Sequence, residues 1–275
     1  MRLPIYMDYH ATTPVDPRVV EAMLPYFMEN FGNAASRHHQ YGWKAEGVVE
    51  NARAVIARPI RAETREIYFT SGATESNNLA IKGVAESYRR KGDHIITCTT
   101  EHNAVLDVCR RLEKQGFRVT YVPVDEYGLV DPNDIRKAIT DKTILVSLMI
   151  ANNEIGTIHP IETVGTLCRE KDVLFHTDAT QAVGKIPVDV ESMNIDLMSF
   201  SAHKIYGPKG VGALYVRRRN PRVRLTAQID GGGHENGLRS GTLNVPGIVG
   251  FGKALEICVD VMGDESKWLS QLRDR

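Results

Sequence analysis

Cysteine is scarce in this 275-residue chain, and no two cysteines sit close together. The four are Cys98, Cys109, Cys168 and Cys258, with no CxxC or CxxxC spacing. That pattern argues against a disulfide scaffold and against a structural zinc or iron–sulfur site. Reduced thiols in the cytoplasm fit it better. Net charge is absent too, with 34 Lys plus Arg against 34 Asp plus Glu. A neutral balance argues against coating of nucleic acid and polybasic docking to membranes. No apolar run approaches the ~20 residues that span a bilayer. Residues 1–9 hold no apolar signal core ahead of Asp8. Neither the dinucleotide pattern GxGxxG nor the nucleoside-triphosphate pattern GxxxxGKS/T occurs. Internal repeats and low-complexity linkers are also missing.

What is present is the composition of a chain with a large core. Hydrophobic residues make up 42% and charged residues 25%, which excludes disorder for most of the length. Two periodicities alternate through the middle. Apolar, β-branched runs predict strands at 66–70, 94–99, 117–122, 143–149, 173–175, 195–200 and 211–216. Spacings of three and four predict helices at 73–90, 104–115, 132–139 and 160–170. Further helices are predicted at 17–27, 42–56 and 245–261. The central strands are apolar throughout rather than alternating. Such strands belong to a mostly parallel α/β sheet with helices on both faces. Ligands bind such sheets beyond the carboxyl ends of the strands.

Residues with chemistry fall at those ends. Thr70-Ser71-Gly72-Ala73-Thr74 joins a strand to a helix, where exposed N–H groups favour an anion such as phosphate. Capping of the helix by Ser71 is the plainer alternative. Lys204 follows a buried strand in a turn of small residues, where an amine can be desolvated and form a Schiff base. A lone lysine there is otherwise a solvated surface group. Asp178 ends another strand, placed either to bind a cationic ring nitrogen or to cap a helix. His176 and Asp178 lack a third ligand for a metal. His102 is placed to stack on a flat cofactor or to move protons, or to sit as a polar surface group. The arginines at 217–224 have no interleaved aromatics, so a solvated face or a subunit contact suits them.

Taken in order, the motifs resemble the class-V pyridoxal-phosphate aminotransferases, most closely the cysteine desulfurases of iron–sulfur cluster assembly. They are Tyr6-Met7-Asp8-Tyr9-His10-Ala11-Thr12-Thr13-Pro14, Phe69-Thr70-Ser71-Gly72-Ala73-Thr74-Glu75-Ser76-Asn77, Glu101-His102, Asn152-Asn153-Glu154-Ile155-Gly156, Asp178-Ala179-Thr180-Gln181, Ser199-Phe200-Ser201-Ala202-His203-Lys204-Ile205-Tyr206-Gly207-Pro208-Lys209-Gly210 and Gly232-Gly233-His234-Glu235-Asn236-Gly237-Leu238-Arg239-Ser240-Gly241-Thr242. The resemblance covers essentially the whole chain. It implies the large domain of the fold type I transferases, with a mostly parallel seven-stranded sheet and helices on both faces. It also implies an arm at 1–15 that belongs with a small domain, a cofactor-binding domain at 16–260, and at 261–275 the start of a helix into a small domain.

The same resemblance assigns roles. Lys204 carries pyridoxal 5'-phosphate and moves the substrate proton. Asp178 pairs with the ring nitrogen, His102 stacks on the ring, and Gln181 bonds the ring's phenolic oxygen. Ser71, Gly72, Ala73, Thr74, Ser201 and His203 surround the phosphate, and Thr242 reaches in from the partner of a homodimer. Asn153 helps hold the substrate. No metal is implied. The implied reaction converts L-cysteine to L-alanine, with sulfur passing to an enzyme cysteine and on to a scaffold or acceptor protein. Selenocysteine lyase, a related class-V enzyme, and a non-catalytic cofactor-binding protein are the alternatives. Enzymes of this family are longer, and the sequence ends at Arg275 before the expected carboxylate-binding arginine and sulfur-accepting loop. None of the four cysteines replaces that loop by position.

Overall fold

A computed structural model describes residues 4–275, so the first three residues of the expected arm lie outside the described residues. The elements in chain order are α1 (Pro17–Met23), α2 (Pro25–Met28), α3 (Gln40–Ala57), β1 (Ile67–Thr70), α4 (Ala73–Ser87), β2 (His94–Cys98), α5 (Asn103–Glu113), β3 (Arg118–Val122), α6 (Pro132–Ala138), β4 (Thr143–Ser147), α7 (Ile161–Glu170), β5 (Leu174–Asp178), β6 (Leu197–Ser201), β7 (Gly212–Val216) and α8 (Val245–Arg273). The strands form one seven-stranded sheet in the order β1-β7-β6-β5-β4-β2-β3. β7 pairs antiparallel with both of its neighbours, and the remaining pairs are parallel. The mostly parallel α/β sheet expected from the apolar strands is therefore present.

Side chains alternate across that sheet into separate cores. Leu197, Leu214 and Val216 face Leu79, Val84, Val105 and Leu112 of α4 and α5. Met198, Phe200, Ala213 and Tyr215 face the opposite side, against Val49 and Ile56 of α3, Leu167 of α7 and Phe251 of α8. Both faces are covered, which is why the strands carry apolar residues at every position.

Several element bounds differ from those read along the sequence. The helix expected at 17–27 is broken, because Pro25 has no N–H to continue the ladder and begins α2 instead. β5 runs on through His176, Thr177 and Asp178, all buried despite their polarity. His176 is satisfied there by hydroxyls of the flanking strands, Ser147 at 2.8 Å and Ser199 at 3.0 Å. α8 continues to Arg273, past residue 261 where the apolar period fades. Arg217 is no solvated arginine. It is buried, and its guanidinium donates to Glu191 and to the carbonyls of Ile195 and Val190.

The glycine-rich segment before α8 is held firmly. Glu235, 8% exposed, accepts from Arg53 Nη1 at 2.7 Å and Nη2 at 2.8 Å. It also accepts from the Phe69 N–H at 2.7 Å. Arg53 stands on α3 and donates in turn to the carbonyl of Ile67. Helix, edge strand and loop thus meet at one buried ion pair. Removing one partner strands the other charge, which typically costs about 3–5 kcal/mol. Glu235→Gln should lower the free energy of unfolding in urea by about 3 kcal/mol with little change in slope. A loss below about 0.5 kcal/mol would show that water replaces the pair.

Candidate active site

The carboxyl ends of β1, β5 and β6 open onto a cavity of about 360 Å³. Its floor begins with the turn from β1 into α4. Gly72 is the N-cap of α4, with φ of 152° and no side-chain cap. Ser71 does not cap the helix; its N–H donates to Glu75 Oε2 at 2.8 Å instead. The first-turn N–H groups of α4 are left as uncapped donors at the cavity wall. This turn lies flat on β7, since a Cβ on Gly212 would fall 2.6 Å from the Gly72 Cα. Thr74, Ser201, His203, Lys204 and Gly210 complete this side of the wall. Burial first, then the charges of Lys204, Lys209 and Lys185, hold the His203 imidazole down at about 4. It is a neutral ring at pH 7, with Nδ1 at 3.1 Å from the Thr12 hydroxyl.

Asp178 closes the back of the cavity. It is 5% exposed, and each carboxyl oxygen has a donor. The Thr180 N–H donates to Oδ1 at 3.0 Å, and Asn77 Nδ2 donates to Oδ2 at 2.7 Å. Asp178 therefore caps a turn and also faces the cavity. The same is true of His102. Its Nδ1 accepts from the Ala104 N–H at 3.0 Å as the N-cap of α5, while the ring lines the cavity. Asn153 and Gln181 are on the wall as well. Asn153 Nδ2 donates to Glu154, and Gln181 Nε2 donates to the carbonyl of His10 at 3.0 Å.

Lys204 reaches toward the N-terminal arm. Its Nζ donates to the carbonyl of His10 and, at 2.9 Å, to that of Ala11. Burial lowers its pKa, while Asp178, Asp8 and Glu154 pull it back up. Thr242 alone among the proposed site residues is outside this cavity; it is exposed on the segment pinned by Glu235.

Some wall and support residues lie within the motifs but have no role assigned to them by the sequence. Asn77 lies in a helix and would pass for an ordinary polar residue, yet it holds Asp178. Thr12 and Lys209 line the cavity. Glu101, next to His102, is 5% exposed. Its Oε1 accepts from the Met149 N–H at 2.6 Å, and Oε2 has no partner. Burial raises the Glu101 carboxyl to about 8, with the nearby Asp178 adding to the rise. The four cysteines are all buried. Burial, reinforced by Glu101, raises the Cys98 thiol to about 12. No cysteine among the described residues lines this cavity.

A profile of aminotransferase class-V matches residues 5–271. The chain belongs to the class-V aminotransferase family. It is 62% identical to the cysteine desulfurase IscS of Anaeromyxobacter sp. (strain Fw109-5), over 100% of this chain and 68% of that protein. Among solved structures it resembles a NifS-like protein, with a TM-score of 0.95, 45% identity, and coverage of 100% of this chain and 74% of that one. It also resembles SspA in complex with cysteine, with a TM-score of 0.88, 46% identity, and coverage of 91% and 72%. The aminotransferase resemblance read from the motifs is thereby shown.

Class-V aminotransferases depend on pyridoxal phosphate, and the cavity's donor set suits that molecule. Uncapped helical N–H groups and hydroxyls suit its phosphate, the buried carboxyl suits its ring nitrogen, and an amine suits its aldehyde. Among the described residues no cluster of three or more His, Cys, Asp or Glu is arranged to hold a metal ion. No helix among them is long and apolar enough to cross a membrane.

Glu101 makes stability depend on pH. Its carboxyl sits near 8 in the fold against 4.5 when free, so the folded chain keeps a proton that the unfolded chain releases. Its contribution is full below about pH 4.5 and is lost as pH rises toward about 8. Glu101→Gln should remove that decline, gaining a few kcal/mol on the wild type between pH 5 and about 8.5. Urea midpoints at both pH values measure it. Parallel profiles for the two proteins would mean that the carboxyl titrates normally.

Proposed function

We propose that this chain forms the pyridoxal-phosphate site of a cysteine desulfurase acting on L-cysteine. The observation that carries the reading is the meeting, in one cavity, of Lys204, the doubly bonded carboxyl of Asp178 and the uncapped first turn of α4. In this reading the α4 N–H groups, with Ser71, Thr74, Ser201 and neutral His203, hold the phosphate. Asp178 would accept a hydrogen bond from the protonated ring nitrogen and keep it protonated, and Asn77 and Thr180 keep its carboxyl from turning. His102 covers one ring face, and Gln181 directs an amide N–H to the ring oxygen. When bound, the cofactor supplies an electron-withdrawing ring that stabilises negative charge at the substrate Cα.

Lys204 is the group that takes the Cα proton. An amine must be free of its own proton to do so, and burial shifts Lys204 in that direction. Asn153, on the cavity wall, steadies the substrate in this reading. A second copy of the chain brings Thr242 to the phosphate, and residues 16–260 are the cofactor-binding domain. Sulfur leaves the substrate by attack of a thiolate, giving L-alanine and a persulfide. The buried cysteines here are held as thiols, so that thiolate comes from outside this cavity. Iron–sulfur scaffold and sulfur-acceptor proteins are the expected recipients.

Borohydride reduction of the loaded chain should place the pyridoxyl group on Lys204 and nowhere else. Lys204→Ala should lose the label and the yellow colour. A label on Lys209 or Lys185 with Lys204 unmodified would overturn the assignment. Adding L-cysteine should change the ring absorbance at once, whereas sulfide and alanine should appear only when an external thiol acceptor is supplied. Cys98→Ala should behave as the wild type. Sulfide release without added thiol that Cys98→Ala abolishes would show that this thiol does reach the substrate.

A further inference from the structure

We infer that Lys185 is a positioning residue for Lys204, acting through Gln181 and the carbonyl of His10. Residues 179–186 form a helical turn, with the Val183 N–H on the Ala179 carbonyl and the Ile186 N–H on the Ala182 carbonyl. That turn brings Lys185 over Gln181, and Lys185 Nζ donates to Gln181 Oε1 at 2.6 Å. The bond fixes which end of the amide points away. Oxygen is engaged, so Nε2 faces the site and donates to His10 O at 3.0 Å. Lys204 Nζ donates to that same carbonyl. A continuous chain of hydrogen-bonded groups thus joins the amines through one amide and one backbone oxygen.

The placement of Lys185 is otherwise hard to explain. It is partly buried, and among the described residues no carboxylate is within ion-pair distance of it. A half-buried ammonium whose partner is a neutral amide does little for stability. Lys185 and Lys204 line the same groove between the arm and α8. The groups facing Lys185 are Lys204, Cys258 and Glu265. Those facing Lys204 are Asp178, Asp8 and Glu154. Burial and the Lys204 charge bring Lys185 down to about 8. With Gln181 Nε2 held on the His10 carbonyl, that oxygen is shared between two donors and offers less to the Lys204 ammonium, which favours the free amine.

The inference rests on the proposed role of Lys204, and its test separates the two. In the cofactor-free chain, Lys204 is acetylated with acetic anhydride across pH 6–11 and read by peptide mass. Lys185→Met should raise the Lys204 midpoint by about 0.5 unit or more, about threefold in the ratio of ammonium to free amine. Lys185→Arg keeps a donor for Gln181 Oε1 and should return the midpoint to within about 0.2 unit of wild type. With pyridoxal phosphate added, the midpoint of the ring absorbance should rise in Lys185→Met, and kcat below that midpoint should fall about threefold with KM little changed. Circular dichroism checks folding, and Lys185→Gln serves if the Met variant fails to fold. An unmoved Lys204 midpoint in a folded, uncharged variant overturns the inference, as does an Arg variant that behaves like Met. Absence of a pyridoxyl label on wild-type Lys204 would instead strike the cofactor reading, and the acetylation result would still stand.

Discussion

A carboxyl group taken out of water needs donors, and an unpartnered one costs several kcal/mol. Asp178 is such a group, and much of the site follows from satisfying it. Its donors come from different places. Thr180 lies on the turn after β5, and Asn77 is on α4, about a hundred residues earlier in the chain. Bringing Asn77 to Asp178 requires α4 to lie against the sheet with its N-terminus at the strand ends. That same placement presents the uncapped first turn of α4 to the cavity. The anion-binding wall and the buried carboxyl are therefore consequences of one packing arrangement.

The arm adds to the site beside the turn that bears Lys204. Thr13 Oγ1 donates to the carbonyl of His203 at 2.9 Å and accepts from the Tyr206 N–H at 2.9 Å. These bonds carry the arm across the turn that bears Lys204. The carbonyls of His10 and Ala11 then become partners for the lysine amine. Gln181 bonds the same His10 carbonyl and so ties the β5 exit to the arm. Backbone oxygens suit this task because they accept from an ammonium group without adding a countercharge that would raise its pKa strongly.

Chemistry and packing use the same residue types differently in this chain. Lys204 and Lys185 sit where burial makes an amine easier to deprotonate. The cysteines sit where burial makes a thiol harder to deprotonate. Burial disfavours the charged form in each case, and the charged form is the ammonium for lysine and the thiolate for cysteine. The same core thus favours a lysine base and leaves its thiols as packing groups.

Much of this was legible in the sequence. Period and apolarity alone determined the order of strands and helices, the doubly covered sheet, and the strand ends where chemistry-bearing residues gather. The ordered motifs determined the family, because glycine turns, Asp178, Gln181 and Lys204 have to recur together for one site to exist. Tertiary structure decided the rest. β5 extends through His176 because hydroxyls on neighbouring strands satisfy it, and no local pattern shows that. Arg217 and Glu235 look like surface groups until their partners, Glu191 and Arg53, arrive from distant segments. The partners of Asn77 and Lys185, and so their parts in the site, were hidden for the same reason. A hydrogen bond depends on where the fold places both partners, and sequence spacing records only the ones that share an element.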